Sequence, residues 1–420
     1  MIKTIRKRPF VRPLILWIAG IILQTLCGVR FLSFGLLPVS VILFFLPQFL
    51  SGKRQDDLGY SLRWLWGAIF SCLMLFLSIQ MTAYHENRPP PASSGRIREW
   101  AADRQRQLLK PLGRLTLTEE ERAVLATITL GGKERMPREI KRRFSLTGVA
   151  HLLAISGFHV AIVCGFLSFA LSFLSGTAVG RWIRYLSMIV LLWTFTIITG
   201  LAPSAVRAAI MLSLYLTGRQ LRQMVDGYNT LAASAFGMLV YDPFYLFDIG
   251  FQLSYIAVAF ILFLQPRIEQ LIEVKNPLLA TPWKWLTVTL SAQTGVALLC
   301  LYYFGQASTL FLLTNLPLTL LATLLIPLTL LWALLPEGLY GMAYLQYGIE
   351  RLTHCMVWFV DQFSRLPGAA VTFRISFTTL LAGYGSLGFL LLYIRYGRRR
   401  WLVGSVSLLL AILFVSYLLE

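Results

Sequence analysis

Long apolar runs separated by short polar breaks dominate this chain. Runs of about 17 to 25 apolar residues have the length that carries an α-helix across a bilayer. They predict spans at about 13–29, 31–50, 62–83, 148–174, 182–200, 204–218, 228–242, 244–265, 285–304, 309–335, 338–362, 376–394 and 401–419. The stretch 338–362 is amphipathic, with Glu350, Arg351, His354 and Asp361, and fits either a crossing or an interfacial helix. The pattern predicts an all-α polytopic membrane protein, a bundle of about 11–13 transmembrane helices, several of them broken or amphipathic.

One sizeable hydrophilic insert, 84–147, separates the N-terminal helices at 1–83 from a third block at 148–420. Within it, Pro89-Pro90-Pro91 followed by Ser93-Ser94-Gly95 reads as a linker. Arg96 to Leu112 alternates charged and apolar residues as a surface helix does. Thr118-Glu119-Glu120-Glu121 is a capping box, in which hydroxyl and carboxylate satisfy orphan amides at a helix start. Gly131-Gly132 then ends that helix.

Composition agrees with the pattern. The 420 residues are 57% hydrophobic and 14% charged, with a mean hydropathy of +0.67. Lys and Arg number 38 against 19 Asp and Glu, a net charge of +19. Part of that excess is topological, because short cytoplasmic loops collect cations. The rest is available to attract a polyanion or an anionic lipid surface. Cys27, Cys72, Cys164, Cys300 and Cys355 are scattered through apolar stretches without a CxxC and read as small buried hydrophobes.

Charge placement predicts orientation. Lys3, Arg6, Lys7, Arg8 and Arg12, then Lys53/Arg54, Arg181/Arg184, Arg219/Arg222, Arg267/Lys275/Lys284 and Arg395/Arg398/Arg399/Arg400 all fall on one side. That side is cytoplasmic by the positive-inside bias, with a retained first span and a cytoplasmic N-terminus. The parity holds only if 338–362 also crosses, or if a different span fails. It puts 84–147 outside the cytoplasm, with 14 basic and 8 acidic residues. Arg138, Lys141, Arg142 and Arg143 at its end oppose that placement, but the bias weakens for loops of about 60 residues.

Four constellations place polar chemistry at membrane depth, where such groups need partners or water. In His151-Leu-Leu-Ala-Ile-Ser156-Gly157-Phe-His159, one continuous helix would put His151, Ser156 and His159 on one side, His159 about 80° and Ser156 about 140° from His151. Helix packing and a polar lining for a substrate path both remain open. In Thr199-Gly-Leu-Ala-Pro203-Ser-Ala-Val-Arg207, Pro203 fits a first helical position, breaking the chain between two apolar segments. Helix-start amides attract anions, and Arg207 adds a permanent cation. A snorkelling or ion-paired arginine is the alternative. Asp248, Gln252 and Tyr255 form an i, i+4, i+7 stripe beside Gly250 and Ser254, and Asp248 is expected to pair with Arg207. Asn315-Leu-Pro317, with Pro327 beyond, fits either a broken helix at a transport site or an ordinary kink.

No GxxxxGK[ST], HExxH or GxSxG is present, so no motor, mononuclear hydrolytic metal site or hydrolase elbow is visible. The chain reads as neither an enzyme nor a cofactor or metal carrier. A Ser156–His159 dyad lacks a nameable oxyanion donor or orienting carboxylate.

Together, Gly148-Val-Ala-His-Leu-Leu-Ala-Ile-Ser-Gly-Phe-His-Val160, Thr199 to Met211 and Asp248-Ile-Gly-Phe-Gln-Leu-Ser-Tyr-Ile-Ala-Val258 resemble the competence domain of the ComEC family of DNA-internalisation proteins. The resemblance runs from about Leu117 to about Leu335, and the remaining spans match only in hydropathy. It makes 148–420 a competence-type transmembrane channel domain. It implies a channel in the bacterial cytoplasmic membrane passing one DNA strand inward during natural transformation. The positions matching the family's polar motif residues are His151, Ser156, His159, Arg207, Asp248, Gln252 and Asn315. Longer members add an OB-like domain and a metallo-β-lactamase-like domain. Here 84–147 is too short and too helical in pattern for the first, and the chain ends in a span without the second. Phe158 replaces the commoner Leu, and Gly132 stands where a polar residue is usual.

The leading expectation is a passive conduit for single-stranded DNA, with strand attraction by Arg138, Lys141, Arg142 and Arg143. Its partners are the lipid bilayer, a DNA receptor, a separate cytoplasmic motor and a separate nuclease. The alternative is a secondary transporter for a small anionic solute. An intramembrane enzyme lacks a complete catalytic set.

Overall fold

The computed structural model describes residues 8–50, 63–87, 95–132, 136–336 and 339–419. Lys3, Arg6, Lys7, Lys53, Arg54 and the linker at 89–94 lie outside them. The protein is an all-α polytopic membrane protein. Among the described residues six helices are long and apolar enough to cross a bilayer alone, and Val11–Cys27 and Gly157–Ala170 are shorter apolar ones. The one sheet among the described residues is a two-stranded antiparallel ribbon, β1 (Gln306–Ser308) with β2 (Ala370–Thr372), Ala307 opposite Val371.

The chain divides into two compact units, each made of two separate stretches. The first comprises residues up to Asp103 together with Val163–Tyr255. It contains α1 (Val11–Cys27), α2 (Arg30–Ser33), α3 (Leu36–Leu50) and α4 (Arg63–Glu86), and α5 (Gly95–Leu109) starts there. It also holds the end of α8 (Gly157–Ala170), then α9 (Ala178–Ile198), α10 (Pro203–Gln220), α11 (Gly227–Tyr241) and the first turns of α12 (Ile249–Glu269). Its core gathers Trp17, Ile21, Ala235, Met238, Leu239, Phe251 and Tyr255. Polar bonds inside this apolar packing fix the helix register. Trp17 donates Nε1–H to the Leu239 carbonyl at 3.1 Å, and Ser78 donates to the Trp17 carbonyl at 2.6 Å. Arg8, at the entry to α1, pairs with Asp226 at 3.0 Å and lies over the Tyr228 ring.

The second unit comprises Arg104–Ile162 and residues from Ile256 onward. It holds α6 (Glu119–Leu130), α7 (Arg138–Leu146), α13 (Pro277–Phe304), α14 (Phe311–Leu334), α15 (Met342–Ser364), α16 (Phe377–Tyr396) and α17 (Arg399–Leu419). The capping box at Thr118 forms as the sequence predicts, and Gly131 ends α6 at φ +78°. α7 buries Ile140 and Phe144 and turns its cations outward. The polar residues of α15 meet the hydrophilic segment. Glu350 accepts from the Thr116 amide at 2.7 Å, His354 Nδ1 lies 2.8 Å from Glu121 Oε1, and Arg143 Nη1 lies 3.2 Å from Asp361 Oδ1. α15 is not among the six helices apolar enough to cross alone.

Two sequence expectations change, and one open choice narrows. The stretch 148–174 is not one helix: a 3-10 turn covers Ala150–Leu152, residues 153–156 are non-helical, and α8 starts at Gly157. Ser156 and Gly157 are cap residues by chemistry, so the helix begins there. The predicted span 244–265 opens with a 3-10 turn, Pro243–Phe247, and its helix, α12, begins only after Asp248. α14 runs unbroken through Pro317 and Pro327. Further along the helix Thr319 and Thr323 donate their hydroxyls to the carbonyls of Asn315 and Thr319, one turn back.

Candidate functional site

The seven predicted path residues fall in both units. His151, Ser156, His159 and Asn315 belong to the second, and Arg207, Asp248 and Gln252 to the first.

His151, Ser156 and His159 do not share a helix face. Gly148 takes a left-handed φ of +79°, and a side chain there would come within 2.8 Å of Ser308 Cβ. That glycine lets the chain turn against β1. The buried Thr314 hydroxyl holds the same corner from α14, donating to the Thr147 carbonyl at 2.6 Å. His151 then sits in the 3-10 turn with its side chain exposed.

Ser156 and His159 form a helix cap. The Ser156 amide donates to His159 Nδ1 at 3.2 Å, and the Ser156 hydroxyl lies 2.8 Å from the same nitrogen. His159 takes the place that Glu or Gln holds in a capping box, three residues into the helix. With Nδ1 accepting, the ring proton of a neutral imidazole sits on Nε2. His159 is fully buried, and no acceptor meets Nε2 at hydrogen-bond geometry, although the Leu152 carbonyl lies within electrostatic reach. Nothing orients this ring as a carboxylate orients the histidine of a serine hydrolase, and capping accounts for the contact.

The second constellation is better defined. The chain breaks before α10 through two successive left-handed residues, Gly200 at φ +85° and Leu201 at φ +52°, and Pro203 opens the helix. A leucine in that region is strained, and such strain clusters at functional positions. Arg207, one turn into α10, is 3% exposed. Its Nη1 lies 3.8 Å from Asp248 Oδ1, the predicted pairing, while Nε and Nη1 have no hydrogen-bond partner. Asp248 is about half exposed, and its Oδ1 also accepts the Phe251 amide at 2.7 Å, capping α12.

Gly250 packs directly against this pair. A Cβ at that position would meet Asp248 Oδ1 at 3.2 Å and Arg207 Nη2 at 3.3 Å. Its place next to a cap carboxylate in an arginine-bearing bundle was the available signal. Gln252 reaches back to the Leu246 carbonyl at 3.0 Å. Tyr255 belongs to the core and donates to Ser234 Oγ at 3.2 Å.

Asn315 donates to Thr289 Oγ1 at 2.8 Å, and its Oδ1 is buried without a partner. Arg138, Lys141 and Arg142 are exposed, whereas Arg143 is held by Asp361 and Glu139. Among the described residues no group of three or more His, Cys, Asp or Glu side chains could hold a metal ion.

Comparison with known proteins decides the family. The family described as "Competence protein" matches residues 128–397, well over half of the chain. The chain belongs to the competence protein family. The family match includes all eleven candidate residues and runs beyond Leu335, where the motif resemblance ends. The chain is similar to ComE operon protein 3 of Bacillus subtilis (strain 168), 33% identical over 192 residues, 46% of this chain and 24% of that protein. It is also similar to the uncharacterized protein YcaI of Escherichia coli (strain K12), 31% identical over 34% of this chain and 19% of the relative. An uncharacterized protein of Aquifex aeolicus (strain VF5) is 29% identical over 43% of this chain and 40% of its own length. The chain thus spans well under half the length of these curated relatives. No solved structure matches it.

Proposed function

We propose that this competence family member provides a polar path for single-stranded DNA through the bacterial cytoplasmic membrane during natural transformation. The N-terminus is cytoplasmic in this reading, and the hydrophilic segment 84–147 is extracytoplasmic. A strand carries one charge per nucleotide and needs a wet, cation-bearing route through hydrocarbon. The observation that carries the reading is Arg207, a buried guanidinium with two nitrogens that make no hydrogen bond and, among the described residues, one carboxylate in ion-pair range, Asp248 at 3.8 Å, which also caps a helix. Leaving a buried cation this poorly compensated is costly, and in this reading the helices part beside α10 during transport, so that a phosphate with its water reaches the guanidinium and recovers that cost. His151 and the exposed cations Arg138, Lys141 and Arg142 add polar and positive surface. The protein acts as a conduit rather than a catalyst. A DNA receptor, a separate cytoplasmic motor and a separate nuclease supply capture, force and degradation of the other strand.

The test is transformation of a deletion strain complemented with wild type, Arg207→Ala or Asp248→Ala. Wild type restores entry of labelled DNA into the cytoplasm, and the variants, at equal abundance, do not. Normal labelled-DNA uptake by the deletion strain itself contradicts the reading. The burial of Arg207 also suits a transporter of a small anionic solute. Strand binding weakens steeply with ionic strength, whereas a buried small-solute site does not.

A further inference from the structure

Two adjoining cavities of about 210 and 250 Å³ open where α9 begins and α10 ends. Ser168, Ser175, Arg181, Arg184, Arg219 and Arg222 contribute to their polar walls, and among the described residues no carboxylate lines either one. A water takes about 30 Å³ in the liquid, so the space admits a hydrated phosphate. The nearest carboxylate in sequence, Asp226, is held by Arg8 and by the Asn229 amide. Among the described residues none of the four arginines makes an ion pair. Arg184 is built into the wall, bonded to Ser175 Oγ, the Ser168 carbonyl and Ser168 Oγ, each at 2.7 Å, while its buried Nε has no partner.

The arrangement is unfavourable without an anion. Arg181 and Arg184 lie near the start of a 21-residue helix, where the dipole disfavours cations. Each pair, Arg181 with Arg184 and Arg219 with Arg222, places like charges three residues apart. Arg222 stands at φ +54°, a conformation suited to glycine, so backbone strain is spent to put a fourth guanidinium there.

The surroundings identify the anion's source. Val179, Trp182, Ile183, Leu186 and Val190 form an exposed apolar stripe along α9 at helical spacing. Trp182 also lines the second cavity and meets Tyr185 edge-on at 5.8 Å, the aromatic signature of a membrane interface. A ligand here sets its charge among arginines and its hydrocarbon on that stripe. We infer that this pocket binds the phosphate headgroup of an anionic phospholipid, with the acyl chains running along α9.

The test uses the full chain purified from nanodiscs holding equal phosphatidylglycerol and phosphatidylcholine, with retained lipid identified by native mass spectrometry. Wild type retains phosphatidylglycerol about tenfold over phosphatidylcholine. Arg181→Gln reduces the preference towards parity, and so does Arg222→Gly, which relieves the backbone and folds at least as well. Excess inorganic phosphate or a single-stranded oligonucleotide leaves the bound lipid in place. Equal retention of the two lipids overturns the inference, as does an unchanged preference in Arg222→Gly. Displacement by inorganic phosphate assigns the pocket to a free anion, and displacement by the oligonucleotide assigns it to the strand. Either result also overturns the inference.

Discussion

Asp248 uses one oxygen, Oδ1, both to cap α12 through the Phe251 amide at 2.7 Å and to face Arg207 Nη1 at 3.8 Å. The cap is a hydrogen bond and the ion pair is only a contact. Asn caps a helix as well as Asp, whereas Ala forfeits about 1 kcal/mol. Asp248→Asn therefore melts close to wild type in detergent, and Asp248→Ala melts lower by about 1 kcal/mol. With Asp248 half exposed, solvent screening limits the pairing to under about 1 kcal/mol in a double-mutant cycle with Arg207→Ala. Equal destabilisation by Asn and Ala shows that the charge, not the cap, holds the site.

Gly250 keeps the guanidinium where it is. In Gly250→Ala the new Cβ, at 3.3 Å from Nη2, makes Arg207 give by a few tenths of an ångström. Helix propensity gains up to about 1 kcal/mol from the same change, so stability stays near wild type. DNA uptake falls while abundance holds, and Gly250→Val lowers uptake further. Uptake unchanged in both variants shows that the position of Arg207 is not critical.

His159 caps through a side-chain acceptor, so an isosteric acceptor replaces it. His159→Gln retains more stability than His159→Ala, read as melting temperature. Ser156→Ala costs about 1 kcal/mol through the lost hydroxyl. Should His159→Gln melt as low as His159→Ala, the ring's packing rather than its Nδ1 contact is what matters.

Glu121 links α6 to α15. Burial pushes its carboxyl up, but the Thr118 amide and hydroxyl and His354 outweigh that and hold it below the ordinary carboxylate value of 4.5. A depressed folded-state value means the stabilisation is complete above the ordinary value and is lost as pH falls through the lower folded one. Amide exchange in Glu119–Leu130 therefore accelerates as pH drops below about 4.5 after correction for intrinsic exchange. Glu121→Gln removes that step. A step that persists in Glu121→Gln assigns it to another group.

The legible features were those that local chemistry decides. The Thr118 capping box, the Gly131 stop and the Pro203 start each satisfy or spare backbone groups within one turn. The Arg207–Asp248 pairing was legible because charges at membrane depth are few and seek one another. Apolar runs hid the rest. From 148 to 174 the hydropathy continues across a glycine turn and a serine cap, so a 3-10 turn read as helix and the histidines were placed on one face. Pro317 sits inside an unbroken helix, where the apolar run gave no sign of whether the chain would break or continue. The polar residues of α15 looked anomalous until their partners in the hydrophilic segment, more than two hundred residues away in sequence, were in place.

The central claim is that a single strand passes beside the buried arginine. An aromatic photo-crosslinking residue substituted at exposed Phe247, next to Asp248, in cells taking up strand-labelled DNA tests it most directly. The account predicts crosslinks to one strand only, appearing during uptake and absent with the same residue at exposed Val190 of α9. Equal yields at the two positions, or none at Phe247 while DNA enters the cell normally, would contradict it.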